Sequence, residues 1–261
     1  MFSALPFLPK ISPISPADFD ALPWQGATAH IGPVGQVTPL YAALLKKTNC
    51  ALYMIYLGCV GLCHQRTASV FDQKLNLLLM EQIFAYQFDG RYPKTFGITI
   101  DDVDDTVDKA RAVRRSIAFF FFELLERAPG GFLSERPIVD VAHMIHLTRH
   151  LCGKSNAETV DTWVRGMVAR MDVIAPSVVD HSPYIYDFPD RESWAAATAE
   201  THGTPLPLEV LDLKQDLQGL DLAARAVAQL AEIEPDQNQL LVPAATLLAE
   251  GFEGQPYRRG T

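Results

Sequence analysis

The chain has little of what most recognisable function classes require. It has no excess of positive charge: 22 Lys and Arg stand against 31 Asp and Glu in 261 residues, a formal net charge of −9. A nucleic-acid binder needs a basic face to displace counterions from phosphates, so that class is disfavoured. Cysteine is scarce. The four present (Cys50, Cys59, Cys63, Cys152) cannot frame a disulfide-stapled fold of this length. The first three fall in one apolar helix-like segment, where a free thiol behaves as a small hydrophobe, and a reducing cytoplasm is the expected compartment. No apolar run is long enough for a bilayer: Cys50–Cys63 has about 14 residues, against about 20 for a span. It contains Gly58 and Gly61 and closes on His64-Gln65-Arg66. The first ten residues lack the basic and long apolar regions of a signal peptide. Phosphate-cradling glycine loops and the G-x-S-x-G elbow are missing, as are internal repeats and any strong alternation that would argue for a sheet.

What is present points to helices. Hydrophobic content of 48% with 20% charged residues is that of a folded protein with a substantial core. Residues 1–39 hold seven prolines between Pro6 and Pro39, too many for a helix interior, yet Leu5, Phe7, Leu8, Ile11, Ile14, Phe19, Leu22 and Trp24 are too apolar for a free tail. We expect an extended arm lying on the body, and a single helical domain over residues 40–261. The patterns predict helices over Leu40–His64 with a break near Thr48-Asn49, Ser69–Phe88, Asp101–Arg127, Arg136–Cys152 capped by Ser134, and Ser155–Ile174 opened by a capping box to Glu158. Shorter helices are expected at Arg191–Thr201, Leu220–Glu232 and Val242–Glu250, while Leu206–Leu213 is ambiguous. The fold class is all-α: one globular multi-helix bundle with its Pro-rich arm.

The most distinctive stretch is Thr99–Arg127. It opens with Asp101, Asp102, Asp104, Asp105 and Asp108, where a helix dipole favours negative charge, and runs into Phe119 to Phe122. Four adjacent rings sweep about 300° of a helix surface, so this helix should be central and the rings buried.

Three constellations could carry chemistry. Asp140, His143, His146 and His150 fall within about 120° of a helical wheel, and His146 with His150 has the i,i+4 spacing of a shared metal. His143 and His150 stand about 10 Å apart along the axis, and the Glu of an H-E-x-x-H motif is absent. A solvated polar face is the competing reading of these histidines. Asp101-Asp102-x-x-Asp105 has the D-D-x-x-D spacing of the terpene synthases that bind magnesium-diphosphate, but here the aspartates open a helix and the second magnesium motif is missing. Cys59-x₃-Cys63-His64 has neither the spacing nor the second cysteine pair of a zinc or redox motif.

Three further segments carry a resemblance: Glu81–Tyr92 (EQIFAYQFDGRY), Pro205–Asp212 (PLPLEVLD) and Gly251–Arg258 (GFEGQPYR). Together about a tenth of the chain, they resemble a group of bacterial helical proteins associated with polymorphic or type VI secreted toxins and held to be their immunity proteins. The resemblance implies an inhibitor without catalytic residues or cofactor. We therefore expect a non-enzymatic cytoplasmic binding protein that meets a basic toxin through an acidic surface, since opposite fields speed encounter. The expected contacts are Asp101, Asp102, Asp104 and Asp105, with Asp180, Tyr184, Tyr186, Asp187 and Asp190 from the aromatic and acidic stretch 176–190. Packing of those tyrosines on the body is the alternative for that stretch. The alternative for the whole chain is a metal-dependent helical enzyme using His146 and His150.

Overall fold

A helix that is apolar on every side has to be surrounded, and the segment around Cys50–Cys63 is built that way. In the computed structural model, which describes residues 5, 7–27, 38–127, 137–177, 193 and 200–258, it forms the axis of the molecule. We number the helices in chain order: α1 (Pro16–Ala21), α2 (Pro39–Leu45), α3 (Asn49–Thr67), α4 (Lys74–Tyr86), α5 (Ile100–Asp104), α6 (Lys109–Arg127), α7 (Ile138–Cys152), α8 (Ala157–Ile174), α9 (Leu222–Leu230) and α10 (Ala244–Ala249). Single 3-10 turns lie at Leu208–Leu211 and Pro235–Gln237. Among the described residues there is no strand, only isolated bridges between Lys47 and Pro176 and between Pro93 and Leu241. The molecule is all-α.

Every residue of α3 from Asn49 to Cys63 is buried. The expected break before it is real: Thr38 caps α2 by accepting the Tyr41 N–H, and Thr48 caps α3 by accepting that of Ala51. α7 packs most extensively on α3, followed by α4; α6 lies against α4 and α7. Two glycines let neighbours close in. A Cβ at Gly58 would collide with the Trp163 ring of α8, and one at Gly61 with Leu8 of the arm.

Phe119 to Phe122 are all buried, as expected, but α6 is not the central helix. α3 takes that place because it is apolar all round, whereas α6 keeps Lys109, Arg111, Arg114 and Arg115 in its first two turns. Phe121 stands edge-on to Tyr86 with centroids 5.5 Å apart, and Phe120 packs on His143 at 5.2 Å. The Tyr56 hydroxyl of α3 donates to Ile117 O at 3.2 Å and accepts the Phe121 N–H at 3.0 Å, so it bridges two backbone groups of α6. Burial pushes this phenol well above its usual range.

The arm is not wholly extended. Ser15 caps a short helix with Pro16 in its first turn, a position where proline's fixed φ and missing N–H cost nothing. Leu8, Ile11, Ile14 and Phe19 are buried. Arg66 holds Ser12 O at 2.7 Å, and Lys109 donates to Phe19 O, Asp20 O and Leu22 O, closing the C-terminus of α1 with a cation. α8 starts at Ala157, and its expected capping box is not formed: Asn156 precedes the helix and makes no side-chain cap. Ser134 and most of Arg191–Thr201 lie outside the described residues.

Candidate functional site

The acidic opening is not the start of one helix. Thr99 and Asp102 hold each other at the head of α5, the Asp102 carboxylate accepting from the Thr99 N–H and hydroxyl at 3.0 Å. The chain then turns: Asp105 Oδ1 accepts the Val107 N–H at 2.8 Å and the Asp108 N–H at 3.0 Å, an Asx turn that competes with continuing the helix. Asp108 starts α6 afresh by accepting the Arg111 N–H at 3.0 Å. The predicted Asp101–Arg127 helix is thus two helices meeting at a corner. Carboxylates that can satisfy a helix start can equally satisfy a turn, and here they do both.

One guanidinium organises that corner. Arg111 pairs with Asp105 and reaches Asp102 at 4.0 Å and Asp108 at 3.7 Å, while Arg115 also pairs with Asp102. Both carboxyls are held below the usual range, Asp102 chiefly by the Thr99 N–H and Asp105 chiefly by the Asp108 N–H and then Arg111. Residues 99–115 hold five acidic and four basic side chains, a net of −1, so the corner is close to neutral. Asp104 is half-buried against Gly26 of the arm, where φ is +86° and a Cβ would strike its carboxylate. Of the four expected contact residues, Asp101 alone is exposed and makes no ion pair or side-chain hydrogen bond among the described residues. Asp180, Tyr184, Tyr186, Asp187 and Asp190 lie outside the described residues.

Negative charge is concentrated elsewhere. Residues 205–261 contain nine acidic and four basic residues, a net of −5 out of −9. Asp216, Asp221, Glu232, Glu234, Asp236, Glu250 and Glu253 are exposed there. Glu209, by contrast, is buried and held low against its desolvation by Arg225 and Gln229.

The histidine helix differs from its expected polar face. Asp140 and His143 are buried, because α7 is clasped between α2, α3, α6 and α8 and only the stripe through Val139, Ala142, His146, Arg149 and His150 reaches water. His150 donates from Nε2 to Pro23 O at 2.8 Å and so ties down the arm; His146 lies near Arg149 and Asp161. Desolvation lowers the pKa of both. Among the described residues no group of three or more His, Cys, Asp or Glu side chains is placed to hold a metal ion.

One pair escaped sequence reasoning. Cys50, at the second position of α3, has its Sγ 3.5 Å from His202 Nε2, an arrangement resembling an activated thiol at a helix N-terminus. The chemistry does not follow. His202 Nε2 is 2.7 Å from Gln87 O, which can only accept, so that nitrogen carries the proton and cannot take one from sulfur. Cys50 is also fully buried, and burial pushes its thiol up. The other cysteines are buried too, with Cys59 and Cys152 raised to about 12.

The three segments that carried the resemblance converge. The Gln87 amide accepts the Leu206 N–H at 2.9 Å and donates to Leu206 O at 3.4 Å. Tyr92 stacks on Tyr257 with centroids 4.1 Å apart, its hydroxyl accepts the Tyr257 N–H at 3.1 Å, and Arg91 lies 4.2 Å over the Phe252 ring. Residues 81–92 are therefore the common seat of 205–212 and 251–258, a buried knot that builds the scaffold. Tyr257 sits there at φ 60°, a left-handed backbone that these contacts hold in place. Against models of protein families, curated proteins and solved structures alike, the chain finds no match. Among the described residues no helix is long and apolar enough to cross a membrane.

Proposed function

We propose that the chain is a non-enzymatic binding protein, an immunity protein of the bacterial cytoplasm that neutralises a basic secreted toxin. The observation that supports this reading is the construction of the α5 corner. Its backbone is pinned by an Asx turn and by Arg111 and Arg115, which leaves Asp101 standing exposed on a rigid mount. A surface fixed before contact loses less side-chain and loop freedom on binding, so more of the contact energy survives as affinity. The excess charge of residues 205–261 would act at longer range, speeding encounter with a cationic partner.

Neutralisation is the direct test. The toxin gene beside this one is expressed in a host cell with and without this chain. Co-expression should restore growth, and the purified pair should form a stable complex. A toxin that kills equally in its presence, or a genomic neighbourhood without one, overturns the reading.

A further inference from the structure

The N-terminal arm is anchored sparsely. Of residues 8–25 only Leu8, Ile11, Ile14 and Phe19 are buried, whereas every residue of α3 from Asn49 to Cys63 is. Gln65 Oε1 accepts the Ile11 N–H at 2.9 Å, and Arg66 O accepts that of Ile14 at 2.7 Å. Arg66 donates to Ser12 O, Ser69 to Ile14 O and His150 to Pro23 O. Each of these bonds ends on the main chain of the arm. Few buried apolar anchors, with exposed stretches between them, are the marks of a segment that opens while the rest stays folded.

Opening takes the whole arm at once. α1 has six residues, too few to persist as a helix in water without its seat. Its one buried residue, Phe19, stands edge-on to Phe71 beyond α3 with centroids 6.2 Å apart. Leaving the body therefore costs the arm both its contacts and its helix. Pro9, Pro13, Pro16 and Pro23 act the other way: they restrict the released chain, so less freedom is lost when it reseats.

The C-terminal half of the arm is held from the α5 corner. Lys109, the first residue of α6, reaches Phe19 O at 2.6 Å, Asp20 O at 2.7 Å and Leu22 O at 3.2 Å, with its Nζ 5.1 Å over the Phe19 ring. Gly26 lies against Asp104, the last residue of α5, so closely that a Cβ would strike the carboxylate. Asp104 and Lys109 flank the Asx turn of Asp105, which sets the spacing of the two grips.

We infer that residues 8–26 form a strap that releases and reseats as one unit while the bundle stays folded, and that the α5 corner is its latch. The corner is fixed by its own local contacts, and the strap is seated on it. A partner that took Lys109 or Asp104 for itself would release the strap, and by linkage a released strap would favour that partner. This last step rests on the binding reading above; the strap and its latch do not.

Hydrogen exchange of the full-length chain, followed by NMR at single amides, tests both parts without a partner. The Ile11, Ile14, Phe19 and Leu22 amides should share one opening equilibrium, roughly tenfold or more above that of the α3 amides. Gly58→Ala, which strains the bundle at Trp163, should lower the protection of α3 and leave the four arm amides unchanged. Leu8→Ala, which loosens the strap where it sits on Gly61, should raise the opening of all four by the same factor. Lys109→Met removes three hydrogen bonds from a charged donor and should raise them roughly tenfold or more. Arg111→Ala, which loosens the turn between the two grips, should raise them by a smaller factor. In every variant α3 should stay better protected than the arm, which also shows that the variant is folded. Arm amides that open only with α3, or that follow α3 in Gly58→Ala, overturn the strap, as do four amides with four different opening equilibria. Arm amides unchanged in Lys109→Met overturn the latch. Neither result touches the immunity reading, which stands or falls with neutralisation of the toxin.

Discussion

The α5 corner and the knot around Gln87–Tyr92 are held together in opposite ways. At the corner every fixing contact is local: Thr99 with Asp102, Asp105 with Val107, Asp108 and Arg111, Asp102 with Arg115, all within 13 positions along the chain. In the knot, partners lie 119 positions apart for Gln87 and Leu206 and 165 for Tyr92 and Tyr257. The corner is wet and ionic, the knot dry and aromatic. Local ionic bracing shapes a surface while adding little to global stability, because exposed ion pairs are worth about 0–1 kcal/mol. Long-range buried contacts do the converse. The lesson is that sequence likeness confined to the knot reports on scaffold, whereas under the proposed function it is the corner that a partner would read.

The sharpest way to break this contrast is at the knot. Tyr92→Ala removes a fully buried ring that stacks on both Phe252 and Tyr257, and should cost about 3–5 kcal/mol in urea unfolding. If it costs less than about 1 kcal/mol, below the usual range for losing a buried ring, the C-terminal segment is an accessory to the fold and the contrast fails. Gln87→Leu keeps the size of the side chain but strands the buried N–H and carbonyl of Leu206, an expected loss of about 1–3 kcal/mol. Gly58→Ala should cost a similar amount by overpacking against Trp163, with the melt of the variant as the measure.

These residues also show what a sequence reveals. α3 is legible because an uncharged run with glycines at Gly58 and Gly61 can only be a buried helix, and the break before it because Thr48 is a natural cap. Burial of the four phenylalanines is legible for the same reason. The split at Asp105–Asp108 is not: a run of aspartates favours a helix start and an Asx turn alike, and Arg111 decides between them from across the corner. Burial of Asp140 and His143 is hidden because α7 is enclosed by four other helices, which periodicity within α7 does not register. Ile100 and Val107 are exposed and escape notice because an apolar residue is read as core unless its exposure is known. Arg111 and Arg115 could have been found from the charge balance of residues 99–115.

The smallest effect is the most diagnostic for the corner. Arg111→Ala should lower stability only slightly at neutral pH, as for any exposed pair. Its signature lies in the pH dependence. Asp102 and Asp105 are held below the usual carboxylate range in the folded protein, whereas in the unfolded chain they take up protons near about pH 3.9. Between those values the unfolded state binds more protons, so the contribution of the corner is complete above about pH 4 and is lost as pH falls through the folded pKa values. Without Arg111 the folded Asp105 pKa moves back towards its ordinary value and less is lost on acidification. Melting temperatures of parent and variant should therefore differ slightly at neutral pH and converge towards about pH 3. The half-buried His64, His146 and His150, lowered by desolvation, destabilise both proteins equally as pH falls below about 6.5 and cancel from the difference. A gap that stays constant across the acid range would mean that Arg111 acts by packing its stem rather than by its charge, and the corner would then lose its claim to be an ionic mount.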